Sequence, residues 1–379
     1  MDPLSVLVVA GEASGDAHGA RLLSALKTMK PSLRFFGMGG PKLAAEGVEL
    51  VHGAHEISVM GIGEVLPKIP RILKVLGDIV AEVDRRKPKL AILIDVPDFN
   101  LRLAKKLKQR GIKVVWYIAP MVWAWRAGRT RIIAARTDEL LCILPFEEAF
   151  LRERGVNATY VGNPVLDQLP QPAPPEHFRR SLGLDPNRPV LAVLPGSRRS
   201  EIKRLLPTMI GVAREQLTLH PGLQIAVPIA PGLDVEPIRA GFNEAGVAVT
   251  LVEGRAAEVV GASDVAVVAS GTATLEAGLM RRPLVVIYRV SWLTYAVGRA
   301  MVKLQHFSLI NLLAKRVVVP ELLQREVTVD RVVAELEKLW SGPAREACLQ
   351  GLDEVREALG GAGASARAAK RVAEIIQRG

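Results

Sequence analysis

The sequence predicts an α/β fold with two doubly wound parallel sheets and a helical C-terminal tail. Three observations lead there. Short apolar runs alternate with helical patterns, the mark of parallel strands joined by crossover helices. A proline-rich stretch, LDQLPQPAPPEHF, interrupts that alternation, which then restarts. The chain has 379 residues, more than one ordinary core supports, and packs with aliphatic side chains: 49% of it is hydrophobic but only 4% aromatic.

In the first half, SVLVVAGEASGD reads as a strand, a Gly-rich turn and a helix over about residues 17–29. LRFFGMGG repeats the strand-and-glycine theme. LAILIDVPDFN (residues 90–100) and KVVWYIAP are further strands, with a helix over 101–110 between them. VGNPV closes a first domain taken as residues 1–165. Pro164, Pro170, Pro172, Pro174 and Pro175 make 166–185 a stiff linker. VLAVLPGSRRSE, LQIAVPIA, VAVTLV and DVAVVASGTATLEAGL build a second domain over 186–328. The Ala-rich tail, 329–379, is expected to be helical, packing back on the first domain or exchanged in a dimer. Two such domains imply a cleft, and ligands of such sheets lie outside the carboxyl ends of the strands.

Composition narrows the function. Cys142 and Cys348 are isolated thiols in apolar surroundings, so neither a disulfide framework nor a zinc site is expected. No signal segment or apolar run of spanning length is read, and a cytoplasmic protein, soluble or peripheral, is expected. The net charge is +11, and its location is informative: residues 68–136 hold 17 Lys/Arg against 5 Asp/Glu, a net of +12. A patch this local points to an anionic partner, whether nucleic acid, membrane or phosphorylated ligand.

The candidate chemistry starts at Asp95 and Asp98. Asp95 ends an apolar strand, where a carboxylate suits a general base; a salt bridge to the Arg-rich neighbourhood is the structural alternative. Pro97 is expected to keep Val96 extended. Asp98 reads as a helix N-cap or as a second catalytic acid. A D-x-x-D metal site lacks further acids or His nearby, so no metal and no cofactor is expected. AVLPGSRRSEIKRLLP (192–207) is strand, turn and helix start, arranged for an anion on backbone N–H groups at Gly196 and Ser197, with Arg198 forking onto diphosphate oxygens. VAVVASGTATLEAGLMRRP (265–283) repeats the arrangement at Ser270, Gly271 and Thr272, with Glu276 one turn behind for ribose hydroxyls. Each loop has a plain alternative, a capped helix on a Gly turn.

WYIAPMVWAWRAGR holds Trp116, Trp123 and Trp125, for stacking or for packing, with Arg126, Arg129 and Arg131 set to hold an anion. VMGIGEVLPKIPRILKVL (59–76) mixes Met60, Ile62, Val65, Leu66, Ile69 and Leu73 with a basic edge, reading as a membrane-contact element or a core helix. No H-x-x-H, H-E-x-x-H or G-x-S-x-G pattern occurs, and GEASGD departs from the dinucleotide fingerprint G-x-G-x-x-G.

GEASGDAHGA, MGIGEVLPKI, IDVPDFN, PMVWAWR, LPFE, LPGSR, ASGTATLEA, SLINLLA and PELLQ, in that order from residue 11 to 324, give the chain its resemblance. It resembles the lipid-A-disaccharide synthase family, inverting glycosyltransferases of GT-B architecture. The resemblance implies transfer of 2,3-diacylglucosamine from UDP to the 6-hydroxyl of 2,3-diacylglucosamine 1-phosphate (lipid X), with Asp95 as base. It implies donor or catalytic roles for Arg198 and Asn311, and a weaker one for Gln324. Glu12, Ser14, Gly15 and Arg126 are expected at the acceptor or elsewhere in the cleft. It further implies work at the inner face of the inner membrane, a possible homodimer with exchanged C-terminal parts, and no nucleic acid. Two departures stand out: Asn163 where VGHP is expected, and His18 where an aliphatic residue is usual. The rivals are another UDP-sugar transferase on a lipid acceptor, and a non-enzymatic basic protein that binds membrane or nucleic acid.

Overall fold

The computed structural model describes residues 4–57, 62–125, 127–171, 173–290 and 306–377. The chain divides into two compact units: residues up to Asp167 together with those from Leu359, and Gln168–Ala358.

The first unit is built on a seven-stranded parallel sheet: β1 Ser5–Ala10, β2 Arg34–Gly39, β3 Val48–Gly53, β4 Leu90–Ile94, β5 Lys113–Tyr117, β6 Glu139–Cys142 and β7 Ala158–Tyr160. Their order is β3-β2-β1-β4-β5-β6-β7. β1 and β4 are buried almost throughout, because helices cover both faces of a parallel sheet. One face packs Val75, Ile79, Leu103 and Ile133 against the strands. The other packs Leu22, Leu26, Ala368 and Val372. Strand order reverses between β1 and β4, which are aligned from Val6–Leu90 to Ala10–Ile94. The loops leaving these two strands therefore diverge at that point and open a crevice.

The second unit repeats the plan with β8 Val190–Leu194, β9 Gln224–Ile229, β10 Thr250–Glu253, β11 Val265–Ala269, β12 Leu284–Tyr288 and β13 Glu321–Leu323. The order is β10-β9-β8-β11-β12-β13, so the reversal falls between β8 and β11.

Several expectations are corrected. The first helix starts earlier, at Ala13, and takes in most of the Gly-rich turn. The helix after β4 also starts early, at Pro97, because proline suits a first helical position. The 166–185 linker is not extended throughout: Pro175–Ser181 is a helix. Arg179 fastens it to the second unit, donating to the carbonyl of Ala262 and to Asp264. The tail is divided. Helices Val329–Trp340 and most of Pro343–Leu359 stay with the second unit, and Ala364–Gln377 returns to the first. Asp167 receives that last helix, accepting from the backbone N–H groups of Gly363, Ala364 and Ser365. Among the described residues no helix is long and apolar enough to cross a membrane.

Candidate active site

At the first reversal point, β4 ends in a strained turn. Asp95 has φ 51° and Val96 φ 41°, both left-handed. Val96 is thus not extended as the following proline suggested. A β-branched residue there is an outlier that costs about 1–3 kcal/mol and must be held by its surroundings. Asn100 does the holding. Its fully buried Nδ2 donates to the carbonyls of Ile94 at 3.1 Å and Asp95 at 2.7 Å.

The turn carries the Asp95 side chain under the start of the first helix. A Cβ on Gly15 would lie 2.8 Å from Asp95 Oδ2. The carboxyl is half-buried, and among the described residues nothing donates a hydrogen bond or a cation to it. Among the described residues, then, no cation takes up the salt-bridge alternative. Burial first, and then the Glu12 carboxylate, push its pKa up to about 7. Glu12 and Ser14 are exposed beside it.

Asp98 is not the helix cap, since Val96 occupies that position. It is 74% exposed and meets Arg129 Nη2 at 2.7 Å. Arg129 is thereby engaged, while Arg126 lies outside the described residues. Trp116 is core, with no exposed surface. Trp123 donates Nε1–H to Glu147 at 2.9 Å. Glu147, the acid of LPFE, also accepts from the backbone of Ile143 and Leu144, and its own burial lifts its pKa to about 7. Sequence reasoning gave this residue no role.

Other buried polar residues of the motifs prove architectural. Asp16 of GEASGD accepts from the backbone of Gly40, Lys42 and Leu43, starting the helix Pro41–Ala45. Asn163 closes its own turn through Val165 N–H and the Ile143 carbonyl. His18 is kept neutral, its pKa lowered to about 4 by burial and then by Arg21 and Lys42.

The second reversal point carries two helix starts. After β8, Gly196 turns at φ 107° and Arg198 caps the helix Arg199–Leu219 in an extended conformation. Ser197 and Arg198 are exposed. After β11, Ser270 leads to Gly271, which caps the helix Thr272–Leu279. The Gly271 N–H is taken by Thr274, leaving the exposed start at Thr272. Glu276 is half-buried with its pKa raised by that burial, and no described residue hydrogen-bonds to its carboxyl.

For Asn311 a donor or catalytic role is the expectation. The residue is fully buried, and all its amide positions are taken: Nδ2 by the Val319 carbonyl and Glu321, Oδ1 by the N–H groups of Val318 and Val319. These bonds brace the approach to β13. Gln324, left-handed at φ 51°, likewise accepts from Val290 N–H. Of the membrane-contact residues, Ile69 is 38% and Leu73 48% exposed. Met60 and the side chains of Ile62, Val65 and Leu66 lie outside the described residues. Among the described residues no group of three or more His, Cys, Asp or Glu is placed to hold a metal ion.

Two parallel Rossmann-like sheets of this order define a GT-B-like fold. The structure of the UDP-GlcNAc 2-epimerase from Neisseria meningitidis bound to UDP-GlcNAc matches with a TM-score of 0.64 at 13% identity, covering 99% of this chain and 100% of that one. CalG4, the calicheamicin glycosyltransferase, matches at 0.63 and 14%, covering 100% and 99%. At such identities the likeness concerns fold alone. A family model described as lipid-A-disaccharide synthetase (LpxB) matches residues 6–374. Lipid-A-disaccharide synthase of Myxococcus xanthus is 58% identical over 379 residues, covering 100% of this chain and 99% of the relative. That of Anaeromyxobacter dehalogenans is 51% identical over 376 residues, covering 98% and 97%. The chain belongs to the lipid-A-disaccharide synthase family, and is a glycosyltransferase of lipid A biosynthesis.

Two predictions follow from Asp95. Folding raises its pKa, so the stability it contributes is present below the unfolded value near 4 and lost as pH rises through about 7. Asn tolerates the left-handed backbone and carries no charge. Asp95→Asn should therefore be more thermostable than the parent at pH 8, with the advantage shrinking toward pH 4. An equal advantage at both pH values in thermal unfolding would contradict this. Gly15→Ala puts a methyl group onto the carboxylate and should lower turnover about 10- to 100-fold, since ångström-scale misplacement of a catalytic group has that effect. Undiminished steady-state turnover would remove Gly15 from the account.

Proposed function

We propose that the chain transfers a 2,3-diacylglucosamine unit from UDP to the 6-hydroxyl of lipid X. The observation that carries this reading is the Asp95 carboxyl, strained into place, free of any described cation and titrating near neutrality. Such a group is poised to take a proton at physiological pH. The acceptor oxygen attacks the donor's anomeric carbon while its proton passes to Asp95. The bond from that carbon to the diphosphate oxygen breaks on the opposite side, UDP departs with the bonding pair, and a β-1,6 linkage forms with inversion.

The donor half of the reaction is assigned to the second unit. The starts of helices Arg199–Leu219 and Thr272–Leu279 are suited to diphosphate, with Arg198 stabilising the negative charge that grows as it leaves. Glu276 is assigned to the ribose hydroxyls. Asn311 and Gln324 support this half indirectly, through the segments they hold. Assayed in detergent micelles, UDP should be released only when lipid X is present, with a disaccharide phosphate detected by mass spectrometry. Release without acceptor would indicate a hydrolase and contradict the proposal. Asp95→Asn should lose about 10²–10⁴ in turnover while still binding UDP. In the parent, kcat/KM should rise with pH and level off above about 7.

Both substrates carry acyl chains, so the work is assigned to a membrane surface. Ile69 and Leu73 stand exposed on a helix, Ile62–Arg86, that also carries Lys74 and Arg71. Apolar side chains among cations suit an anionic bilayer. Ile69→Ser with Leu73→Ser should weaken binding to anionic liposomes without loss of helical circular dichroism. Unchanged sedimentation with the liposomes would count against this surface.

A further inference from the structure

In the second unit the turn after β8 closes around an acid of its own chain. Glu201 stands in the first turn of helix Arg199–Leu219, where a carboxylate meets the helix's positive end. Its side chain reaches back. Oε1 accepts from Arg198 Nη1 at 3.0 Å. Oε2 lies 2.8 Å from where a Cβ on Gly196 would stand. Gly196 is thus fixed twice over, once by φ 107° and once by the carboxylate beside it.

Burial ranks the partners. The Glu201 side chain is 18% exposed and that of Arg198 is 50%. The acid is the anchored member and the guanidinium the outward one. Only one of the guanidinium's five N–H groups is used by a described residue, so the rest remain for a ligand. The Tyr288 hydroxyl, at the carboxyl end of β12, lies within electrostatic reach of Glu201, Arg198 and Arg204.

We propose that Glu201 is a positioning residue for the donor: it holds Arg198 ready for the diphosphate, and Gly196 makes room for it to do so. This rests on the assignment of the donor half-site to the turn after β8. A free arginine must give up rotamer freedom when it grips a ligand, and one tethered beforehand gives up less. The opposite effect is also physically available, because an acid this close repels a diphosphate. The sign of the effect on affinity therefore decides between tether and competitor.

The test is calorimetric binding of UDP and of uridine to the full chain and to Glu201→Ala, Glu201→Gln, Arg198→Ala and the Glu201→Ala/Arg198→Ala double variant. Glu201→Ala should weaken UDP binding about tenfold, the loss expected for one charge-assisted contact, and leave uridine unchanged. Glu201→Gln keeps a neutral acceptor and should fall between. The double variant should bind UDP no more weakly than Arg198→Ala, because the acid acts through the arginine. UDP bound equally or more tightly by Glu201→Ala, equal losses for UDP and uridine, or additive losses in the double variant would overturn the proposal. If Glu201→Ala does not fold, Glu201→Gln carries the same comparison. A parent chain that fails to bind UDP would overturn the donor assignment itself, and this inference with it.

Discussion

The first unit depends on one constraint, the left-handed turn at Asp95 and Val96. An apolar strand ordinarily ends by handing its last residue to the following loop. Here two successive non-glycine residues are forced into a region that L-residues avoid. The Asn100 amide clamps the carbonyls on either side, and Pro97 starts the next helix at once. Gly15 provides the only kind of surface that lets the carboxylate in. The strain and the desolvation act together, for both hold a partly buried acid beside Glu12 where no described cation meets it. Strain and a raised pKa at the residue proposed as the base are a common arrangement at functional sites.

The second unit handles charge differently. Where the first isolates a carboxylate, the second exposes helix starts and a half-free arginine. Its buried polar residues serve this indirectly. Asn311 saturates its amide on the segment leading into β13, and Glu321 accepts in turn from Phe307 and Ser308 N–H. Among the motif residues here, the fully bonded Asn311 is buried, whereas the exposed Ser197, Arg198 and Thr272 follow the carboxyl ends of strands. That division is a physical criterion for separating scaffold from site.

It also explains what the sequence disclosed. Fully buried parallel strands such as LAILI and VAVVA are continuous apolar runs, so fold class and the position of Asp95 were legible. Short strands such as Ala158–Tyr160 carry too few residues for a pattern, and β6 opens on a charged residue, Glu139. Polar motif residues were the harder case. Asp16, Glu147, Asn163 and Asn311 sit within quoted motifs, yet their partners lie elsewhere in the chain or on backbone that sequence does not place. An acid within a motif looks the same in a string whether it caps a helix, as Asp16 does, or has no partner among the described residues, as Asp95 does. The left-handed turn was hidden for a related reason: proline after Val96 favours an extended residue, and only Asn100 overrides that preference.

We propose that folding makes Asp95 a base at neutral pH. The most direct test is the carboxyl carbon resonance of Asp95, followed by NMR across pH in protein labelled at aspartate carboxyls and assigned by its disappearance in Asp95→Asn. A midpoint near 7 is the result this account predicts. A midpoint in the ordinary aspartate range, about 4, would mean that the carboxylate is solvated or paired in solution, and would contradict it.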